Sequence, residues 1–106
     1  MQNFIYPALF IPDEEEGGFV ITFRDLPEAI TQGESVEEGL IEAIDCLEEA
    51  IANRIVMDLP IPLPTPIDEQ EHAIPLSIQM AAKAALYLTI REVGITKVEL
   101  AKRLHC

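Results

Sequence analysis

The sequence predicts an α+β fold, an antiparallel sheet with one helix packed on it, followed by a partial, truncated helix-turn-helix. Three observations carry that prediction. Residues 3–33 hold three short stretches rich in β-branched and aromatic residues, separated by turn chemistry. A strong helix start at Ser35 is followed by apolar residues recurring at intervals of three and four. The charge also changes sign along the chain. Residues 1–80 hold 17 acids against Arg24 and Arg54, a balance of −15, whereas residues 81–106 hold five bases against Glu92 and Glu99, a balance of +3.

The first strand is expected in "NFIYPALFIP" (3–12), with Pro7 placing it at an edge or a bulge. "DEEEGG" (13–18) turns, because Gly17 and Gly18 supply the backbone freedom of a hairpin loop. "FVITFR" (19–24) alternates: Phe19, Ile21 and Phe23 face one side, Val20, Thr22 and Arg24 the other. "DLPE" turns again, and "AITQG" (29–33) is short and extended, so the three strands form an antiparallel meander. Ser35 with Glu38 reads as a capping box. From there Val36, Leu40, Ala43, Ile44, Leu47, Ile51 and Ile55 fall in one arc of roughly 100°, suited to a helix lying on a sheet. Gly39 costs such a helix about 1 kcal/mol relative to alanine, and close packing on the sheet accounts for it. Cys46, at the edge of the arc, behaves as a small hydrophobe.

"LPIPLPTPIDEQEHAIP" (59–75) holds five of the eight prolines and cannot be helix. It reads as a semi-rigid connector whose "HAIPL" (72–76) can return as a final strand, with His72 a surface residue. No P-x-x-P spacing marks it as an SH3 ligand. Ser77 caps a second helix running to about Val93. Ile78, Ala82, Ala85, Leu86, Thr89 and Val93 form one face, and Met80, Ala84, Tyr87 and Leu88 a second apolar side. A helix apolar on two sides needs two packing partners: one is its own domain, and the other is a second copy of the chain or helices absent from this sequence. Thr96 starts a last amphipathic stretch, "TKVELAKRL", in which Val98, Ala101 and Leu104 pack and Lys97, Lys102 and Arg103 face outward. This is the pattern of the first helix of a helix-turn-helix, without the helix that enters the groove.

Several function classes are disfavoured. There is no G-x-S-x-G, H-E-x-x-H or phosphate-binding glycine loop, and His72 and His105 lie beside no convincing nucleophile. The helix carboxylates sit on the face turned from the sheet rather than converging on a metal. Cys46 and Cys106 fit no metal spacing and read as reduced thiols. No catalytic residue, metal or cofactor is expected. No run approaches the roughly 18 apolar residues of a membrane span, and a cytoplasmic protein is expected. A module at −15 is repelled by nucleic acid and attracted to basic surfaces, or else merely kept soluble by its charge; the change of sign along the chain favours two modules with different partners. The exposed acids of the first are the turn Asp13, Glu14, Glu15 and Glu16 and the helix stripe Glu38, Glu42, Asp45 and Glu49, which become the candidate partner-binding residues. Thr96, Lys97, Lys102 and Arg103 are the candidate DNA-binding residues.

"YPALF", "EEGGFVITFRDLPEAITQGES", "EEGLIEAIDCLEEAI", "IPLPTP", and "IPLS" leading into "GITKVELAKRL" cover nearly the whole chain. In that order they resemble the HicB antitoxins of bacterial toxin–antitoxin pairs. The resemblance implies a degenerate RNase H-like domain that has lost catalysis. It also implies a partner, HicA, a small basic mRNA-cleaving toxin with a double-stranded-RNA-binding-like fold and a catalytic histidine. On this reading residues 1–66 are the toxin-neutralising domain and 67–76 the linker and final strand. Residues 77–106 are then a partial helix-turn-helix for DNA binding and oligomerisation. The expected partners are the toxin, operator DNA when the full C-terminus is present, and further copies in a homodimer or homotetramer. A second reading makes the chain a transcriptional repressor whose N-terminal module is a sensor or oligomerisation domain.

Overall fold

Two tight reversals turn the first third of the chain into the expected meander. The computed structural model describes residues 3–93, with β1 (Ile5–Pro12), β2 (Phe19–Phe23), β3 (Ile30–Gly33), α1 (Val36–Val56), β4 (Glu71–Pro75) and α2 (Ile78–Val93) in chain order. The sheet order is β3-β2-β1-β4, antiparallel throughout, so the segment after the prolines does return as a strand, beside β1.

That position corrects the expectation for Pro7. The proline lies in an inner strand, opposite Ala73, and is fully buried. The Leu76 amide donates to the Phe4 carbonyl at 2.9 Å, which makes 4/76 a hydrogen-bonded pair. Antiparallel pairs alternate, so 6/74 and 8/72 are bonded while 5/75 and 7/73 are not. Pro7 and Pro75 therefore both occupy positions where no N–H is needed between β1 and β4. The nitrogen of Pro7 points instead toward β2, which begins to pair with β1 only at Ala8.

Strand alternation divides the sheet into two faces. Phe4 just before the first strand, Tyr6 and Ala8 within it, Ile21 and Phe23 of the second, and Ile74 of the fourth are buried together on the inner face, under α1. Burying each large apolar side chain contributes roughly 1.5–3 kcal/mol. His72 pairs with Ala8 on this same face and is half-buried, its ring 4.4 Å from that of Phe10 between centroids. It is a packed residue rather than the surface histidine expected from its acidic neighbours in sequence.

The Ser35 hydroxyl accepts the Glu38 amide at 3.1 Å and starts α1 where expected. The buried face of the helix is rotated from the expected arc: Gly39, Ala43, Leu47, Ala50 and Ile51 are buried, while Val36 and Ile44 are 39% and 37% exposed. Small residues explain the rotation. A Cβ on Gly33 would lie 2.6 Å from the Gly39 backbone, and one on Gly39 would lie 2.7 Å from the Phe10 ring. Helix and sheet touch along a glycine–alanine seam, and the larger branched residues are displaced to its margins.

Between α1 and β4 the chain is extended and is anchored along its length. The buried Tyr6 hydroxyl donates to the Pro62 carbonyl at 2.7 Å, and Ile61 joins the core. The second helix begins at Ser77, whose hydroxyl accepts the Met80 amide and whose own amide donates to Glu48 of α1 at 2.6 Å. It packs against α1 and adds Ala84 and Tyr87 to the core, with Met80 and Leu88 partly buried against it. The other apolar face remains open: Ile78, Leu86 and Val93 are 90%, 46% and 61% exposed. Among the described residues no helix is long and apolar enough to cross a membrane.

Candidate functional site

The arginines of the described residues are all engaged in holding the extended connector. Arg24 pairs with Glu71 at 2.7 Å and donates to the Thr65 hydroxyl and the Pro66 carbonyl. Arg54 pairs with Glu28 at 2.6 Å and donates to the Pro60 carbonyl. Arg91 reaches the carboxylate and carbonyl of Asp58, and its guanidinium lies 5.5 Å from the centre of the Tyr87 ring. Asp25 accepts from the amide and hydroxyl of Thr65, both at 2.8 Å. Hydrogen bonds from the guanidinium of Arg54 hold the Glu28 carboxyl below its ordinary range, and those from Arg24 do the same for Glu71.

With these three arginines committed there, the opposite end of the described residues is left acidic. The turn after β1 is closed by Asp13: its carboxylate accepts the Glu15 and Glu16 amides, and its backbone bonds to Gly17 and Gly18. Both glycines have positive φ, 81° and 74°. A Cβ on Gly18 would stand 2.5 Å from the Gly33 carbonyl, so the turn rests against the end of β3. Since β3 runs directly into the cap of α1, the turn and the helix N-terminus become neighbours. Between them lies a cleft of about 480 Å³ lined by Asp13, Glu16, Glu34, Glu38 and Glu42 together with Phe19, Thr31 and Gln32.

Four of the eight acids singled out in the sequence, Asp13, Glu16, Glu38 and Glu42, thus line one concavity. Glu14 and Glu15 are exposed on the same turn without lining it. Asp45 and Glu49 are exposed farther along α1; Glu49 is 11 residues beyond Glu38, about 16 Å at the helical rise. Glu34, Thr31 and Gln32 were missed. Glu34 carried a readable signal, because it precedes the Ser35 cap, where the helix dipole favours an anion. Thr96, Lys97, Lys102 and Arg103 lie outside the described residues. Among the described residues no group of three or more His, Cys, Asp or Glu is placed to hold a metal ion. The half-buried Cys46 thiol is pushed up by burial and by the nearby charge of Glu49, which disfavours the nucleophilic thiolate. What the arrangement can do is present a dense, uncompensated negative surface.

Residues 5–85 match the family model described as the HicB_like antitoxin of bacterial toxin–antitoxin systems. Antitoxin HicB of Escherichia coli K12 is 37% identical over 99 residues, which are 93% of this chain and 71% of that protein. Antitoxin HicB 1 of Photorhabdus laumondii is 36% identical over 104 residues, 98% of this chain and 65% of that protein. Antitoxin HicB of Pseudomonas fluorescens is 34% identical over 92 residues, 86% and 63% of the two chains.

Proposed function

We propose, from the premise that this chain belongs to the HicB-like antitoxin family of bacterial toxin–antitoxin systems, that it binds a small basic mRNA-cleaving toxin of the HicA type and inhibits it by covering its RNA-binding surface. The family is one of antitoxins rather than enzymes, and a toxin partner follows from it. The observation that carries the finer reading is the acidic cleft, whose lining among the described residues includes five carboxylates and no cation. A toxin that grips RNA must display lysine and arginine for the phosphates. A surface of fixed carboxylates competes for those same groups, steers the two proteins together, and excludes RNA by charge as well as by bulk. On this reading the protein acts in the cytoplasm, with the messages it protects. Co-purification with the small basic protein encoded beside it, followed by an RNA-cleavage assay, tests the reading. A stoichiometric complex with cleavage suppressed is expected; an unbound chain with cleavage unchanged would refute it.

A second activity, repression of its own operon, is favoured by the change to positive charge after residue 80 and by the amphipathic stretch at Thr96–Leu104. Lys97, Lys102 and Arg103 are the residues that would face phosphates, and the toxin would modulate the repression. The open face of α2, with Leu86 at its centre, is the surface on which two copies would pair as such repressors do. A gel shift of upstream DNA with the full-length gene product is expected to be lost on Lys102→Glu together with Arg103→Glu. The repressor-only alternative predicts that shift without any toxin complex.

A further inference from the structure

The outer face of the sheet is covered by no helix among the described residues, and its residues are held in register. Leu9, Thr22 and Ile30 stand opposite one another across three strands, and Ile11, Val20 and Gln32 form the adjoining row. Ile30 is 61% exposed, Ile11 43% and Leu9 36%. At the far end of this face Arg24 draws in Thr65 and Pro66 of the connector and neutralises Glu71, and Pro7 there is buried. The open rows are thus uncharged, and all their members but Thr22 and Gln32 are apolar. They end at the Asp13–Glu16 turn and at Glu34, and Gln32 lies both in the second row and in the wall of the acidic cleft. Floor and cleft are one continuous surface wrapped around β3.

We infer that these two rows, with Leu9, Ile11, Val20 and Ile30 as their apolar members, are the desolvated centre of the interface with the basic partner, and that the acidic cleft is its rim. The inference rests on the proposed toxin binding and says where its affinity resides. Stable interfaces have an apolar core ringed by polar groups, and the core carries most of the free energy while rim charges act on association rate. Charge selects the occupant. In a face-to-face pair of copies the rim acids would find few cations, because among the described residues the three arginines are occupied at the connector and only Lys83, on α2, is left. A partner with exposed apolar side chains flanked by lysine or arginine satisfies floor and rim together.

The test is titration calorimetry of the full chain against the small basic protein encoded beside it. The variants are Ile11→Gln with Ile30→Gln for the floor and Glu38→Gln with Glu42→Gln for the rim. The floor pair is expected to raise Kd at least tenfold and leave its salt dependence unchanged; the rim pair is expected to flatten the salt dependence. Should the floor pair bind within twofold of the wild type while the rim pair weakens binding, the inference falls and the toxin-binding proposal stands. No binding by the wild type overturns both. If the floor pair instead lowers the mass of the free protein in solution, a second copy is the occupant and the inference is overturned. If the floor pair fails to fold by circular dichroism, Ile30→Thr, which keeps the β-branch at an exposed position, must weaken binding at least threefold or the inference is withdrawn.

Discussion

Gly33 and Gly39 face each other across the contact between β3 and α1, yet they tolerate a methyl group differently. On Gly33 it would strike backbone, 2.6 Å from both the N and Cα atoms of Gly39, and relief requires moving the helix off the sheet. On Gly39 it would strike the edge of the half-buried Phe10 ring, which can turn, and alanine would return about 1 kcal/mol of helix propensity. Gly33→Ala is therefore expected to lower stability by about 2–3 kcal/mol, and Gly39→Ala by clearly less, measured as the shift in urea unfolding. A second residue-scale prediction concerns Tyr6. Its hydroxyl is pushed up to about 12, chiefly by burial and then by the charge of Asp25, against the lowering influence of Arg54. Between its ordinary value near 10 and 12, the unfolded chain loses the proton while the folded chain keeps it. Stability is thus intact below pH 10 and falls as pH rises, by roughly 2–3 kcal/mol in all. Tyr6→Phe is expected to start lower, because the bond to Pro62 is lost, and to show less of this alkaline decline. The cost of Gly39 and its cause were legible in the sequence; the matching Gly33 was not, because nothing local distinguishes it from a turn glycine.

At the level of elements, meander, helix cap and connector follow from local chemistry and were readable in order. The rotation of α1 and the choice of face on α2 were not. Both sides of α2 are apolar, and only the position of Tyr87 relative to Leu59, to whose carbonyl its hydroxyl donates at 2.7 Å, decides which one turns inward. The anchoring of the connector was equally hidden, because Arg24 and Arg54 meet their carboxylates across 47 and 26 residues. Acid should reveal it. The folded-state values of Glu28 and Glu71 are lowered, so their contribution to stability is complete above the ordinary carboxylate range and is lost as pH falls through those depressed values. Amide exchange in residues 59–70 is expected to accelerate at such pH before the sheet amides do. Arg24→Met should bring on the same acceleration at neutral pH. Equal protection in variant and wild type would show that the prolines alone fix the connector.

Among the described residues the charges are sorted rather than interspersed: the three arginines tie the connector to the body, and five carboxylates gather around the β3 edge and the start of α1. The overall acidity and the turn and stripe were plain in the sequence. Their convergence was not, because it depends on Gly18 letting the turn lie against β3. This sorting gives toxin binding a kinetic signature. Long-range attraction between the acidic cleft and a basic partner acts on the rate of encounter, and it is screened within about 10 Å at 0.1 M salt. Raising salt from 50 to 500 mM is therefore expected to slow association by about tenfold or more, with little change in dissociation. Glu38→Gln with Glu42→Gln should produce much of that slowing at low salt and add little at 500 mM, where the wild type has already lost it. Stopped-flow association at three salt concentrations separates the outcomes. If the variant dissociates faster at every salt while associating normally, those two glutamates make short-range contacts in the complex, and the steering must come from the Asp13–Glu16 turn.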